Sequence, residues 1–344
     1  MFTKPTILLF LLGFLSFHFS TAQSYSGPES VEFDSLTSCY YVANTTTHQI
    51  LRRTPSGSLQ VFATLAGTGP HGIEILNNKL YACNGGSVRV FNLLTGALLN
   101  SINLGATFLN GITHSDSSNV FVTDFNAKKI YRIHASTNAF NVFVNNTVQT
   151  PNGIIYDSPN QRLLYGTWGS GARIKAVSLI DSTQSNVVNT SLMSIDGICV
   201  DNASNIYVSN WGNNSLVMYP AWSYSSPQTL LTGLSNPADI CYNFRGDSIA
   251  IPNSGNNTVV FYHNIITGNN QPFSKKITWN PGTPVFLSKA AHFEMFNAAG
   301  LSVVHRELLP GLFDWQSENL PCGMYIFRIL QKGEDPITGK VYVK

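Results

Sequence analysis

The chain has 344 residues, 11% of them charged, with a formal net charge of +2 and 43% hydrophobic residues. That length exceeds what one ordinary core serves, so two domains or one large repeat architecture is expected. No Lys/Arg run interrupts the middle of the chain, which excludes the dense positive footprint that nucleic-acid binding requires. The chain opens with one Lys, then the apolar run Ile7 to Phe19, then Ser20-Thr21-Ala22. This layout predicts an export signal over residues 1–22 and a mature start near Gln23. The apolar run is short for a membrane span and no later stretch approaches the necessary length, so no span is expected after signal removal. The protein is therefore expected to be secreted or held at the cell surface.

A tetrapeptide then recurs: Pro28-Glu29-Ser30-Val31, Pro70-His71-Gly72-Ile73, Leu109-Asn110-Gly111-Ile112, Pro151-Asn152-Gly153-Ile154, Ile195-Asp196-Gly197-Ile198 and Pro237-Ala238-Asp239-Ile240. The steps between second positions are 42, 39, 42, 44 and 42 residues. Each copy leads into short segments rich in β-branched and aromatic residues, bounded by Asn, Ser, Asp and Gly, such as Val120-Phe121-Val122-Thr123-Asp124 and Ile130-Tyr131-Arg132-Ile133. Strands and hairpins have that composition, and no helix-length apolar period occurs outside the signal. Four short strands per copy make one propeller blade, so residues 28–278 are predicted to form an all-β, six-bladed β-propeller. A linear solenoid would need polar caps, which neither end of the repeat provides. Residues 23 to 27 offer little for a closing strand, and the sixth copy is expected to supply its own outer strand near Lys275 to Trp279.

Residues 279–291, with Asn280-Pro281-Gly282-Thr283-Pro284, read as a linker. Residues 292–344 carry strand-like Phe293-Glu294-Met295-Phe296, Met324 to Ile329 and Lys340 to Lys344, enough for a small β-sandwich-like domain. Phe296-Asn297-Ala298-Ala299-Gly300, then Leu320-Pro321-Cys322-Gly323-Met324-Tyr325 and a basic last strand, resemble the C-terminal sorting domain of the type IX secretion system of Bacteroidetes. Cys322 departs from the small polar residue usual there. The resemblance implies an address recognised by the type IX secretion machinery, leaving function to the propeller; a carbohydrate-binding or spacer module is the other reading. Five cysteines, at positions 39, 83, 199, 241 and 322, cannot all pair internally. Free core thiols are expected, with a Cys199–Cys241 bridge as the alternative.

In a propeller the residues that open the innermost strands converge on one axis. Here they are Glu29, His71, Asn110, Asn152, Asp196 and Ala238. Such a mixture of carboxylates, amides and an imidazole suits a divalent cation with positions left for water and a ligand. These residues resemble the senescence-marker/gluconolactonase family of six-bladed lactone hydrolases. That resemblance implies a divalent metal (Ca, Zn or Mn) on Glu29, Asn152 and Asp196, with Asn110 on the substrate and Asp196 doubling as general base. His71 is an added ligand or tunnel-lining group that the family does not need, placed here beside the substrate. By the same resemblance the metal polarises a lactone carbonyl and supplies the attacking water. The departures are Glu29-Ser30-Val31 where the family has Glu-Gly-Pro, and Phe108 where it has an Arg.

Propellers of the related NHL class repeat the same Asn-Gly-Ile-x-x-Asp grammar as rigid binding discs, and Asn-Gly and Asp-Gly also make ordinary turns. The second reading is therefore a non-catalytic propeller that binds a glycan, peptide or surface protein. Phe125, Trp168 and Trp211 follow strand ends, where they either line a recognition face or pack the blades. No Gly-x-Ser-x-Gly elbow and no nucleotide-binding glycine loop occurs.

Overall fold

The computed structural model describes residues 23–116, 118–221, 223–263, 285–287, 289–297, 302–313, 320, 323–331 and 337–343. The expected signal, the outer strand near 275–279, the start of the linker and Pro321-Cys322 lie outside these residues. Apart from a 3-10 turn at Ser158–Asn160, every regular element described is a strand. No helix among the described residues is long and apolar enough to cross a membrane.

The repeat folds into consecutive antiparallel sheets, spanning 28–64, 73–103, 109–144, 151–189, 195–231 and 241–263. The first five have four strands each in chain order; the sixth has three described strands, Cys241–Asn243, Ser248–Asn253 and Thr258–His263. First strands of successive sheets touch one another, and that of the sixth sheet touches Pro28–Asp34 of the first. The architecture is a β-propeller.

Period-two side-chain alternation explains why these strands read as nearly continuous apolar runs. In Asn119–Asp124, Val120 and Val122 join the cluster with Tyr81 and Val88 of the second sheet, while Phe121 points the other way, toward Leu163 and Tyr165 of the fourth. Both faces are buried because each sheet is sandwiched between two others. The same device continues around the chain. Tyr41 and Ile50 pack on Leu80 of the second sheet, Leu164 and Ile174 on Ile198 and Val208 of the fifth, and Tyr207 and Leu216 on Ile249 and Ile251 of the sixth. Cys241 and Ala250 of the sixth sheet then pack on Tyr40 and Val42 of the first. Each such aromatic or branched side chain contributes roughly 1.5–3 kcal/mol on burial.

The tetrapeptide's third position shows why glycine recurs there. A Cβ on Gly153 would stand 2.4 Å from the Asp196 carbonyl oxygen and 2.9 Å from the Gly197 Cα. Inner strands of adjacent sheets approach too closely for a side chain. Hydroxyls stitch the same junctions: Thr123 Oγ1 accepts from the Gly111 N–H at 2.8 Å and donates to the Asn152 carbonyl at 2.9 Å. Ser209 Oγ does the same between Gly197 N–H at 2.8 Å and the Ala238 carbonyl at 2.7 Å. Where the sixth sheet meets the first, the third positions are Asp239 and Ser30 instead. Ser30 Oγ donates to Asp239 Oδ2 at 3.0 Å, and Asp239 N–H donates to the Glu29 carbonyl at 2.9 Å.

Toward the C-terminus, Ser302–Leu308, Ala291–Asn297, Gly323–Gln331 and Ile337–Val343 form one sheet in that order, and Val285–Leu287 pairs with Gly311–Phe313. Phe293, Met295, Phe313, Phe327 and Ile329 share a hydrophobic cluster that contains no propeller residue. Val285–Leu287 falls inside the segment expected as linker. Leu287 is fully buried in that cluster, a tertiary gain that the Pro/Gly-rich sequence just before it conceals. Cys39, Cys83, Cys199 and Cys241 are buried free thiols.

Candidate functional site

A pocket of about 240 Å³ is lined by Glu29, Thr45, His71, Phe108, Asn110, Phe125, Asn152, Trp168, Asp196 and Trp211. The five polar second-position residues of the repeat thus meet in one cavity. Ala238, the sixth, is buried and does not line it. Among the described residues, no Lys or Arg lines the pocket.

The floor is made by groups held at the first strand of each sheet. Asn110 begins Leu109–His114, Asn152 begins Pro151–Asp157 and Asp196 begins Ile195–Val200, and all three are buried. Glu29 lies in Pro28–Asp34 and His71 just before Ile73–Leu76, with its backbone N–H on the Cys83 carbonyl at 3.0 Å.

The rim follows a second periodicity. The residue after the second strand of each sheet is Thr45, Gly85, Phe125, Trp168, Trp211 and Ser254. Five of them hang from the residue preceding a tetrapeptide: Thr45 N–H bonds the Gly27 carbonyl, Phe125 that of Phe108, Trp168 that of Thr150, Trp211 that of Ser194 and Ser254 that of Asn236, at 2.8–3.1 Å. In the first, third, fifth and sixth sheets this residue opens a four-residue hairpin loop whose last member, His48, Lys128, Asn214 or Asn257, has φ between 47° and 59°. That positive φ lets the hairpin close. Three consecutive sheets thus present aromatics while Ser254, Thr45 and Gly85 leave the opposite side low.

The aromatic side is continuous. Edge-to-face contacts join His71 to Phe108 at 4.6 Å between ring centroids, Phe108 to Phe125 at 5.7 Å, Phe125 to Trp168 at 5.8 Å and Trp168 to Trp211 at 5.2 Å. Such pairs add about 0.5–1.5 kcal/mol each beyond area burial and hold the wall rigid. Asp124 fixes the loop that carries Phe108: its carboxylate accepts from Thr107 N–H at 2.9 Å, Thr107 Oγ1 at 2.6 Å and Phe108 N–H at 3.1 Å.

The floor is electrostatically unsatisfied. Asp196 Oδ1, Asn152 Oδ1, His71 Nδ1 and Trp211 Nε1 are buried with no hydrogen-bond partner among the described residues. A buried polar atom left unpaired costs about 1–3 kcal/mol, so these atoms are open to a bound group. Burial and the charge of Asp239 push the Glu29 carboxyl up to about 8. Burial, then Glu29 and Asp239, hold Asp196 well above the usual carboxylate range, with Asn152 and Trp211 pulling the other way. Burial, against the Ser30 hydrogen bond, brings Asp239 up to about 7. Burial also lowers His71 to about 4, so its ring is neutral at neutral pH. Crowded carboxylates without a counter-charge, beside an orphaned amide oxygen, fit a divalent cation of oxygen preference.

Asp239 and Phe108 both lie outside the tetrapeptide's second positions. Asp239 sits one place later than its counterparts, and the signal for it is the acid that replaces glycine in Pro237-Ala238-Asp239-Ile240. Phe108 is visible in the sequence only as the residue standing for an Arg; its spacing before Asn110 carries it into the wall.

Scanned against protein-family models and against curated proteins, the sequence matches none. Solved structures do resemble the fold. A protein of unknown function from Bacteroides thetaiotaomicron superposes with a TM-score of 0.60 at 10% identity, over 71% of this chain and 70% of that one. Virginiamycin B lyase from Staphylococcus aureus gives a TM-score of 0.51 at 14% identity, over 72% and 88%. Luciferin-regenerating enzyme gives 0.54 at 13% identity, over 67% and 85%. At such identities the likeness establishes the propeller fold.

Proposed function

We propose that this is an exported, divalent-metal-dependent hydrolase of lactones or related esters. Its body is a six-bladed propeller over residues 28–278, each sheet forming one blade. The observation that carries the reading is the floor of the pocket, where Asp196 Oδ1 and Asn152 Oδ1 are buried without partners beside the Glu29 carboxyl. Glu29, Asn152 and Asp196 would hold the ion. When bound, the ion supplies Lewis-acid polarisation of a carbonyl and an acidified water.

The chain's own residues do the rest. The wall of Phe108, Phe125, Trp168 and Trp211 covers one side of a bound ring and excludes water from it. Asn110 donates its amide N–H to a substrate oxygen, and neutral His71 offers its unpaired Nδ1 to another. The Asp196 carboxylate accepts the proton of the water that attacks the carbonyl carbon and returns it to the leaving alkoxide oxygen as the acyl C–O bond breaks. With Phe108 in the wall and no Lys or Arg among the described lining residues, the preferred substrate is uncharged and flat-faced rather than a sugar acid. Two of the similar structures are enzymes by name, a lyase and a regenerating enzyme, which supports a catalytic use of this fold.

Residues 285–344 would form a separate β-domain that addresses the protein to the type IX secretion machinery, leaving the propeller secreted or at the cell surface. The second reading, a non-catalytic propeller that binds a glycan, peptide or surface protein, draws on the same aromatic wall, since stacking on sugar rings needs no ion. Calorimetric titration of chelator-stripped protein with Ca²⁺, Zn²⁺ and Mn²⁺, followed by assay of a lactone and aryl-ester panel, separates the two. Ion-dependent turnover lost in Asp196→Asn supports hydrolysis. Ring binding without turnover, unaffected by chelator, supports the binder.

A further inference from the structure

A second cluster of metal-binding residue types lies far along the sequence from the pocket. Strands Ala291–Asn297 and Ser302–Leu308 run antiparallel with His292 opposite Glu307 and Glu294 opposite His305. Side chains two apart on a strand share a face, so these four form a square of alternating imidazole and carboxylate. The intervening Phe293 and Met295 point to the opposite face, into the core. His292 Nδ1 stands 2.6 Å from Glu307 Oε1 and His305 Nδ1 3.3 Å from Glu294 Oε1, with the two imidazole centroids 4.3 Å apart. One ligand atom from each of His292, Glu294 and His305 lies within 4.8 Å of the others.

We propose that His292, Glu294 and His305 form a transition-metal site that takes Zn²⁺, with Glu307 orienting His292. Two imidazoles and a carboxylate are a zinc ligand set, and metal-bonded His commonly gives its other ring N–H to a carboxylate. Bond lengths near 2.0–2.1 Å bring tetrahedral ligand atoms to about 3.4 Å apart. The contraction from 4.8 Å falls on His292 and His305, whose side chains are 32% and 58% exposed and free to turn. Glu294 is the fixed member, 4% exposed. Arg328, opposite it on Gly323–Gln331, binds its Oε2, so Oε1, against which His305 Nδ1 rests, is the oxygen that would turn to the ion.

The site differs in kind from the pocket floor. Imidazole selects Zn²⁺ over Ca²⁺, whereas carboxylate and amide oxygens favour the harder ion. The test uses the full chain, stripped of metal and titrated with Zn²⁺ against a chromophoric chelator in excess Ca²⁺. Wild type and Asp196→Asn are expected to retain a zinc equivalent that His305→Ala and His292→Ala lose, with affinity reduced about 10–100-fold or more. Because both His side chains reach solvent, circular dichroism should show both variants folded. Equal zinc uptake by His305→Ala and wild type, or no chelator-competitive uptake by Asp196→Asn, overturns the site. Neither result bears on hydrolysis in the pocket, which Asp196→Asn alone reports.

Discussion

Replacing Glu29 by Gln should make the ion-free protein more stable, and the gain should grow with pH. The folded carboxyl is raised from 4.5 to about 8, first by burial and then by Asp239. Between those values the folded protein keeps a proton that the unfolded chain has released. Wild-type stability is therefore fullest below about pH 4.5 and declines toward pH 8, above which this group adds no further slope. At pH 7 the difference of about 2.5 pH units from the unfolded value corresponds to roughly 3 kcal/mol, at 1.36 kcal/mol per unit. For a protein of this size that is a rise of roughly 6–12 °C in Tm. The assay is thermal unfolding in chelator from pH 5 to pH 9, for wild type and Glu29→Gln. The two Tm curves should coincide near pH 5 and separate steadily to pH 8. Curves that stay parallel across the range would refute the claim that Glu29 is a half-buried, uncompensated acid.

Saturating Mn²⁺ should raise the wild-type Tm but not that of Glu29→Gln, and its affinity should strengthen from pH 6 to pH 8 because the ion must displace protons held by Glu29 and Asp196. Calorimetry in two buffers of different ionisation enthalpy would count those protons. Trp168→Ala should weaken a ring-bearing ligand by about tenfold, from lost stacking and burial, while Mn²⁺ affinity stays within about twofold. A fluorescence titration against both ligands checks the split. Gly153→Ala should cost about 1–3 kcal/mol in denaturant unfolding, since its methyl meets the Asp196 carbonyl at 2.4 Å. A loss below a few tenths would show that the inner strands can spread.

Much of this was legible in the residues because the repeat is a physical necessity. Close approach of the inner strands demands glycine at the third position, and the same geometry carries the second position into the pocket. Glu29, His71, Asn110, Asn152 and Asp196 could therefore be gathered from across the chain without any local motif. Asp239 escaped that reading because its carboxyl enters the acid cluster from the third position, where it bonds Ser30. The aromatic wall was half visible: Phe125, Trp168 and Trp211 mark strand ends. Whether such rings face a pocket or fill a blade depends on sheet twist, which no spacing reports. In the structure they do both, stacking on each other while lining the cavity. Val285–Leu287 was hidden for the opposite reason, since its partner Gly311–Phe313 lies some 25 residues away behind a turn-rich sequence.

The most direct test of the whole account is an anomalous difference map from crystals of the full chain soaked in Mn²⁺. A single strong peak bonded to Glu29, Asn152 and Asp196 beneath the aromatic wall is the predicted result. A pocket without a peak at saturating Mn²⁺, with those side chains bonded to one another instead, would contradict it.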